Sequence, residues 1–96
     1  MDNKTQKVTT EEPDGKTVAM LRLLASDIYQ YFLHQDHPPA DEIYVPIDII
    51  KKVNESTYDA TIRFIVDYCG RKVHNVRIRF NIDNKFRFVN NSWRYL

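Results

Sequence analysis

The chain has 96 residues, a hydrophobic share of 43% and a formal net charge of +1. This length suits one hydrophobic core and leaves no room for a second. Because acidic and basic residues nearly balance, a basic patch can arise only where charges are segregated.

The residue content also bears on the compartment. Cys69 is the single cysteine, so an intrachain disulfide framework and a thiolate-rich zinc site are excluded. A reducing, cytoplasmic compartment is therefore expected. The sequence has neither the apolar stretch of a secretory signal nor an apolar run of about eighteen residues that a membrane span needs, so no membrane partner is predicted.

The polar N-terminal residues precede a helical pattern. Residues 1–15 predict a flexible polar arm, and residues 16–96 predict a single α+β domain. The fragment "DGKT" resembles the end of a phosphate-binding loop, but that loop needs glycine where Thr10 stands. Asp14 or Thr17 is instead expected to cap a helix.

Residues 16–35 carry apolar side chains at intervals of three and four, which predicts one long helix with a core-facing side. Leu23 and Leu33 fall on or near its outer side. Such leucines are common on surfaces, but they can also form a contact between copies of the chain, so a homodimer is an expectation.

After Pro38 and Pro39 the apolar period changes to two, which predicts four antiparallel strands in a meander. The first predicted strand covers residues 43–53 and lies at an edge because Pro46 cannot donate a ladder hydrogen bond. Short turns near Gly70 and Asn84 are expected to set Phe64 opposite a residue such as Val76 or Ile78, and Phe80 opposite Phe88.

The same alternation gives the sheet one apolar face and one basic face. Arg63, Arg77, Arg79 and Arg87 are expected to be neighbours on the basic face. Its function can be to bind a partner. Alternatively, the arginines can simply be a solvated surface that discourages edge association, with Trp93 and Tyr95 folded into the core after a bulge at "NNS".

The order of one helix followed by an antiparallel meander resembles the cystatin-like and NTF2-like α+β folds, in which a curved sheet wraps around a long helix. The resemblance covers about residues 16–96 and implies no activity. The glutamine-valine-glycine hairpin of cystatins has no counterpart here, where the hairpin reads "YCGRK".

Three groups of residues have side-chain types found in catalytic or metal-binding sites. His34, Asp36 and His37 have zinc-ligand chemistry, but histidines at a helix end more often answer unpaired carbonyls. Cys69 with His74 lies on a hairpin without an evident oxyanion site. The carboxylates Asp36, Asp41 and Glu42 lie in a proline-containing loop without a rigid frame. The sequence therefore predicts no enzyme, no metal and no cofactor.

A non-enzymatic module that binds a protein through the open sheet face and the C-terminal aromatic tail is the leading hypothesis. Arginine with tryptophan and tyrosine is typical of protein interfaces. The alternative is a domain for single-stranded nucleic acid, which would combine phosphate attraction with base stacking. The predicted contact residues are Arg63, Ile65, Arg77, Arg79, Arg87, Val89, Trp93 and Tyr95.

Overall fold

The computed structural model describes residues 14–35 and 40–96 of the chain. The elements, in chain order, are helix α1 (Gly15–Leu33), strand β1 (Glu42–Tyr44), a 3₁₀ turn (Ile47–Ile49), and strands β2 (Lys51–Asn54), β3 (Thr57–Val66), β4 (Lys72–Asn81) and β5 (Arg94–Tyr95). The arm predicted for residues 1–15 lies outside the described residues, except that Asp14 and Gly15 form the start of α1.

Helix α1 confirms the helix predicted from the sequence. The Asp14 side chain accepts a hydrogen bond of 2.7 Å from the Thr17 backbone N–H, so Asp14 is the N-cap. This bond lowers the pKa of the Asp14 carboxyl. The buried side of α1 consists of Leu24, Ala25, Ile28 and Phe32.

The sheet has five strands, one more than predicted. The predicted first strand is divided: Pro46 precedes the 3₁₀ turn, and the segments on either side, β1 and β2, both pair antiparallel with β3. Proline cannot donate to a sheet ladder, which accounts for a break at this position. Strand β3 then pairs with β4, and β4 pairs with β5.

Strands β3 and β4 form a long hairpin whose register runs from Thr57 opposite Asn81 to Val66 opposite Lys72. Phe64 therefore lies opposite His74, and the predicted pairing with Val76 or Ile78 was wrong. The connection occupies residues 67–71 and is longer than the expected turn. The expected turn has three residues and the observed connection has five; because both numbers are odd, the assignment of side chains to the two faces is unchanged.

The segment after β4 departs furthest from prediction. Asp83 Oδ1 accepts the backbone N–H groups of Lys85 at 2.8 Å and Arg87 at 2.9 Å, and Phe86 has a positive φ of 62°. These side-chain bonds form a compact turn in place of the predicted strand. Phe88 makes a single bridge to Ile82, so it is not directly opposite Phe80.

The core lies between α1 and one face of the sheet. Six large side chains are fully buried there: Phe32, Phe80, Leu24, Ile28, Ile62 and Ile78. The molecule is thus of the α+β class, with one helix packed on an antiparallel sheet, as predicted. Among the described residues, no helix has the length and apolar character to cross a membrane.

Candidate binding surface

The sheet face turned away from α1 is called the open face here. On β3 it carries Asp59, Thr61, Arg63 and Ile65, and on β4 it carries Val73, Asn75, Arg77 and Arg79. The intervening residues, such as Ile62 and Ile78, belong to the core beneath α1. The open face is therefore polar and charged along most of its length.

A row of charged residues crosses the open face from strand to strand. Lys51 on β2 lies opposite Asp59, Asp59 lies opposite Arg79, and Arg79 lies opposite Arg94 on β5. Arg79 donates from Nε to Asp59 Oδ1 at 2.7 Å and from Nη2 to Oδ2 at 3.0 Å. The hydrogen bonds from Arg79 lower the pKa of the Asp59 carboxyl, and the charges of Arg77 and Arg94 act in the same direction.

Two exposed arginines of this face, Arg77 and Arg94, have neither a salt bridge nor a side-chain hydrogen bond among the described residues, unlike Arg79 and Arg63. Leu96 donates its backbone N–H to the Arg77 carbonyl, so Arg94, two residues earlier, lies diagonally across from Arg77. Asp59 is engaged by Arg79, and the positive charge of Arg77 and Arg94 is left directed to solvent.

Arg94 was not among the predicted contact residues. Its position between Trp93 and Tyr95 contained the signal, because alternate residues of a strand point to opposite faces. Two aromatic residues that face the core require the arginine between them to face away from it.

Arg63 lies at the other end of the open face, between two neighbours. Its Nε donates to Asn75 Oδ1 at 2.9 Å, and its guanidinium lies 5.3 Å from the centre of the Tyr44 ring. Tyr44 is 47% exposed and stands directly opposite Arg63 in the sheet. This cation–π contact orients Arg63 and supplies one aromatic side chain to the open face.

Ile65 shares the open face by register but is 5% exposed. It lies between Glu42 on β1 and Val73 on β4. Its small exposed area limits direct contact with a partner, whereas Val73 beside it is 47% exposed.

Arg87 and Val89 do not lie with the other arginines. They line a groove of about 790 Å³ between the C-terminal half of α1 and the turn after β4, together with Asp27, Gln30, Tyr31, His34, Gln35, Asp83, Phe88 and Asn90. Arg87 Nε is 3.3 Å from Asp83 Oδ2. The backbone hydrogen bond from Arg87 also lowers the pKa of the Asp83 carboxyl. The predicted grouping of Arg87 with Arg63, Arg77 and Arg79 was therefore wrong.

Trp93 and Tyr95 lie on the helix side of the sheet. The Trp93 indole Nε1–H donates to the Tyr31 hydroxyl at 3.0 Å, and the Trp93 ring centre is 5.0 Å from that of Phe32. Tyr95 packs edge-on against Trp93 with ring centres 4.9 Å apart. The expectation that these aromatics share one surface with the arginines was wrong, because packing against α1 turns them to the opposite face.

The residues with zinc-ligand chemistry are only partly described. Asp36 and His37 lie outside the described residues, and His34 is the exposed C-cap residue of α1. Within residues 14–35 and 40–96, no group of three or more histidine, cysteine, aspartate or glutamate side chains is placed to hold a metal. Cys69 is an exposed free thiol.

Comparisons with known proteins leave the surface to be interpreted from its own geometry. No protein-family model, curated protein or solved structure matches the chain. The resemblance to cystatin-like and NTF2-like folds accordingly stays a prediction.

Proposed function

We propose that this chain is a non-enzymatic interaction module of the cytoplasm whose open face binds an acidic surface of another protein. The observation that carries the proposal is the pair Arg77 and Arg94, exposed and diagonally adjacent without a salt bridge among the described residues. A guanidinium binds carboxylates through two parallel hydrogen bonds, so such a pair suits clustered aspartate or glutamate side chains.

Two arginines of the open face, Arg79 and Arg63, are held in fixed positions, which supports a protein partner. Asp59 holds Arg79 in one geometry, and Asn75 and Tyr44 hold Arg63. Side chains held in this way lose less conformational entropy on binding. Polar neighbours such as Thr61 and Asn75 add hydrogen-bonding groups to the same face.

Single-stranded nucleic acid is the alternative, because phosphates would also be attracted to Arg77 and Arg94. Such binding commonly gains about 1–3 kcal/mol per base from stacking on aromatic rings. Trp93 and Tyr95 are on the helix side, and Tyr44 is already in contact with Arg63. The position of the aromatics therefore favours protein over nucleic acid.

The aromatic tail and the outer side of α1 are predicted as further contact sites, separate from the open face. Tyr95 is 57% exposed but lies on the other side of the sheet from Arg77, so a flat partner cannot cover both. On α1, Leu23 and Leu33 are 66% and 46% exposed, and the homodimer contact at these residues stays a prediction. Neither site is needed for binding at the open face.

Fluorescence anisotropy can separate the two classes of partner. Labelled oligoglutamate and labelled oligothymidylate of equal formal charge would be titrated with the protein at about 50 mM and about 200 mM salt. We expect oligoglutamate to bind at least as tightly as oligothymidylate, with Trp93 emission unchanged by the nucleotide. Tighter binding of oligothymidylate together with quenched Trp93 emission would support the nucleic-acid alternative instead.

A further inference from the structure

The outer edge of β4 is only half covered. Strand β5 pairs with Ile78 and Arg79, and Leu96 bonds to Arg77, but no described residue pairs with the outer edge of β4 from Lys72 to Val76. On its inner edge the same stretch is paired with β3 throughout. The first half of β4, residues 72–76, is called the free edge here.

The direction of the backbone groups on the free edge follows from the bond at its end. The Arg77 carbonyl points towards β5, because it accepts the Leu96 N–H at 3.0 Å. Backbone groups of alternate residues in a strand point to the same edge. Val73 and Asn75 therefore direct their N–H and C=O groups outwards, where the part of the chain that the structure describes offers them no strand.

We propose that the free edge binds an extended, acidic segment of a partner protein as an added antiparallel strand, in line with β5. This inference rests on the proposed function, since it names the segment by which the acidic partner would be held. Strand addition supplies backbone hydrogen bonds, and side chains at alternate positions supply specificity. Val73, His74 and Asn75 are all exposed, so the edge is accessible.

Charge around the free edge selects the added strand. Arg71 and Lys72 stand at one end and Arg77 at the other, and all three are exposed. A residue of the added strand opposite Asn75 would share the open face with Arg63 and Arg77. Glutamate or aspartate at that position is therefore favoured, and lysine is disfavoured.

A second copy of the chain fits the same edge poorly. In a symmetric antiparallel pair of copies, Val73 of one copy can form hydrogen bonds with Asn75 of the other. This register sets Arg71 of each copy opposite Arg77 of the other, so two pairs of like charges result. Like charges directly opposite each other destabilise a strand pair. The basic residues thus oppose self-pairing but suit an acidic strand.

The positions opposite the free edge define a probe peptide. An apolar residue suits the position opposite half-buried Val76. A second apolar residue suits the position opposite Val73, where it would continue the apolar contact between Ile65 and Val73 onto the added strand. Acidic residues suit the places opposite Asn75 and Lys72. The probe is an acetylated and amidated peptide with the order valine, glutamate, threonine, valine, glutamate, and its control has lysine for glutamate.

Amide hydrogen exchange of the full chain, followed by NMR, tests the inference directly. With saturating glutamate peptide, the Val73 and Asn75 amides should exchange at least about tenfold more slowly, because they become hydrogen-bonded. The His74 amide, which faces β3, should change little. The lysine peptide, and a glutamate peptide N-methylated on its β4-facing amides, should give no protection.

The outcomes distinguish this inference from the proposed function. If the glutamate peptide shifts the side-chain signals of Arg77 and Arg94 but leaves Val73 and Asn75 unprotected, strand addition is wrong and open-face binding stands. If no signal responds, both fail. Protection of Val73 and Asn75 that rises with protein concentration in the absence of peptide would assign the edge to a second copy and overturn the inference.

Discussion

Arg79 holds Asp59 by two hydrogen bonds, with Nε 2.7 Å from Oδ1 and Nη2 3.0 Å from Oδ2. Both side chains lie on the open face and are only partly exposed, at 34% for Arg79 and 18% for Asp59. This pair neutralises the centre of the basic surface and fixes one arginine in place. The exposed arginines beside this pair that form no salt bridge with a described residue are Arg77 and Arg94, and Lys51 on β2 adds a further exposed positive charge.

The Asp59–Arg79 pair predicts a loss of stability in acid. The pKa of Asp59 is lowered in the folded protein relative to its ordinary value of 3.8, first by the hydrogen bond from Arg79. A lowered carboxyl pKa stabilises the fold above the unfolded pKa, and this stabilisation is lost as the pH falls through the folded pKa. Urea unfolding should show wild type more stable than Asp59→Asn at neutral pH. The difference should shrink below about pH 4, whereas a constant difference down to about pH 3 would contradict the assignment.

The division of the sheet into two faces predicts opposite sensitivities to truncation. Phe80 is fully buried beneath α1, so Phe80→Ala should lower the free energy of unfolding by about 3–5 kcal/mol. Arg94 is exposed on the open face, and Arg94→Ala should change it by less than about 0.5 kcal/mol. Denaturant titrations of both variants would measure these effects. A larger cost for Arg94→Ala would mean that the faces are reversed.

The anchoring of Trp93 to α1 can be tested by removing one hydroxyl group. Tyr31→Phe deletes the acceptor of the indole N–H, which should cost about 1 kcal/mol of stability and alter Trp93 emission. Tyr29→Phe, a matched change on the same helix, should leave the emission unchanged. If Tyr31→Phe changes neither property, Trp93 is not held on the helix side and becomes available for stacking.

Local sequence patterns are enough to predict the elements of the fold that are determined by interactions between residues close in the chain. The apolar period and the Asp14 cap identify α1, and strict alternation assigns Arg63, Arg77 and Arg79 to one face. These assignments are unaffected by the error in loop length, because the loop differs from the expected one by an even number of residues. Thus the centre of the candidate surface could be read from the chain.

The turns after β4 depend on contacts that the alternation of apolar and polar residues does not predict. Asp83 folds the segment after β4 by accepting two backbone N–H groups, and this carries Arg87 to the groove beside α1. Ser92 hydrogen-bonds to Asn81 and helps to set where β5 meets β4. The facing of Trp93 follows from its bond to Tyr31, sixty-two residues earlier. Such long-range contacts decide between the two placements of the aromatics that the sequence leaves open, on the open face or in the core.

Arg77 and Arg94 are the contact that we propose for an acidic partner. The most direct measurement is the Kd of labelled oligoglutamate for the double reversal Arg77→Glu and Arg94→Glu, compared with the control Lys16→Glu and Arg22→Glu on exposed positions of α1. Both variants change the net charge equally, and circular dichroism would verify that each is folded. We predict that the open-face reversal weakens binding by at least about tenfold, or about 1.4 kcal/mol, and that the control changes it by less than about twofold. Equal weakening by the two variants, or wild-type affinity in the open-face reversal, would contradict the claim.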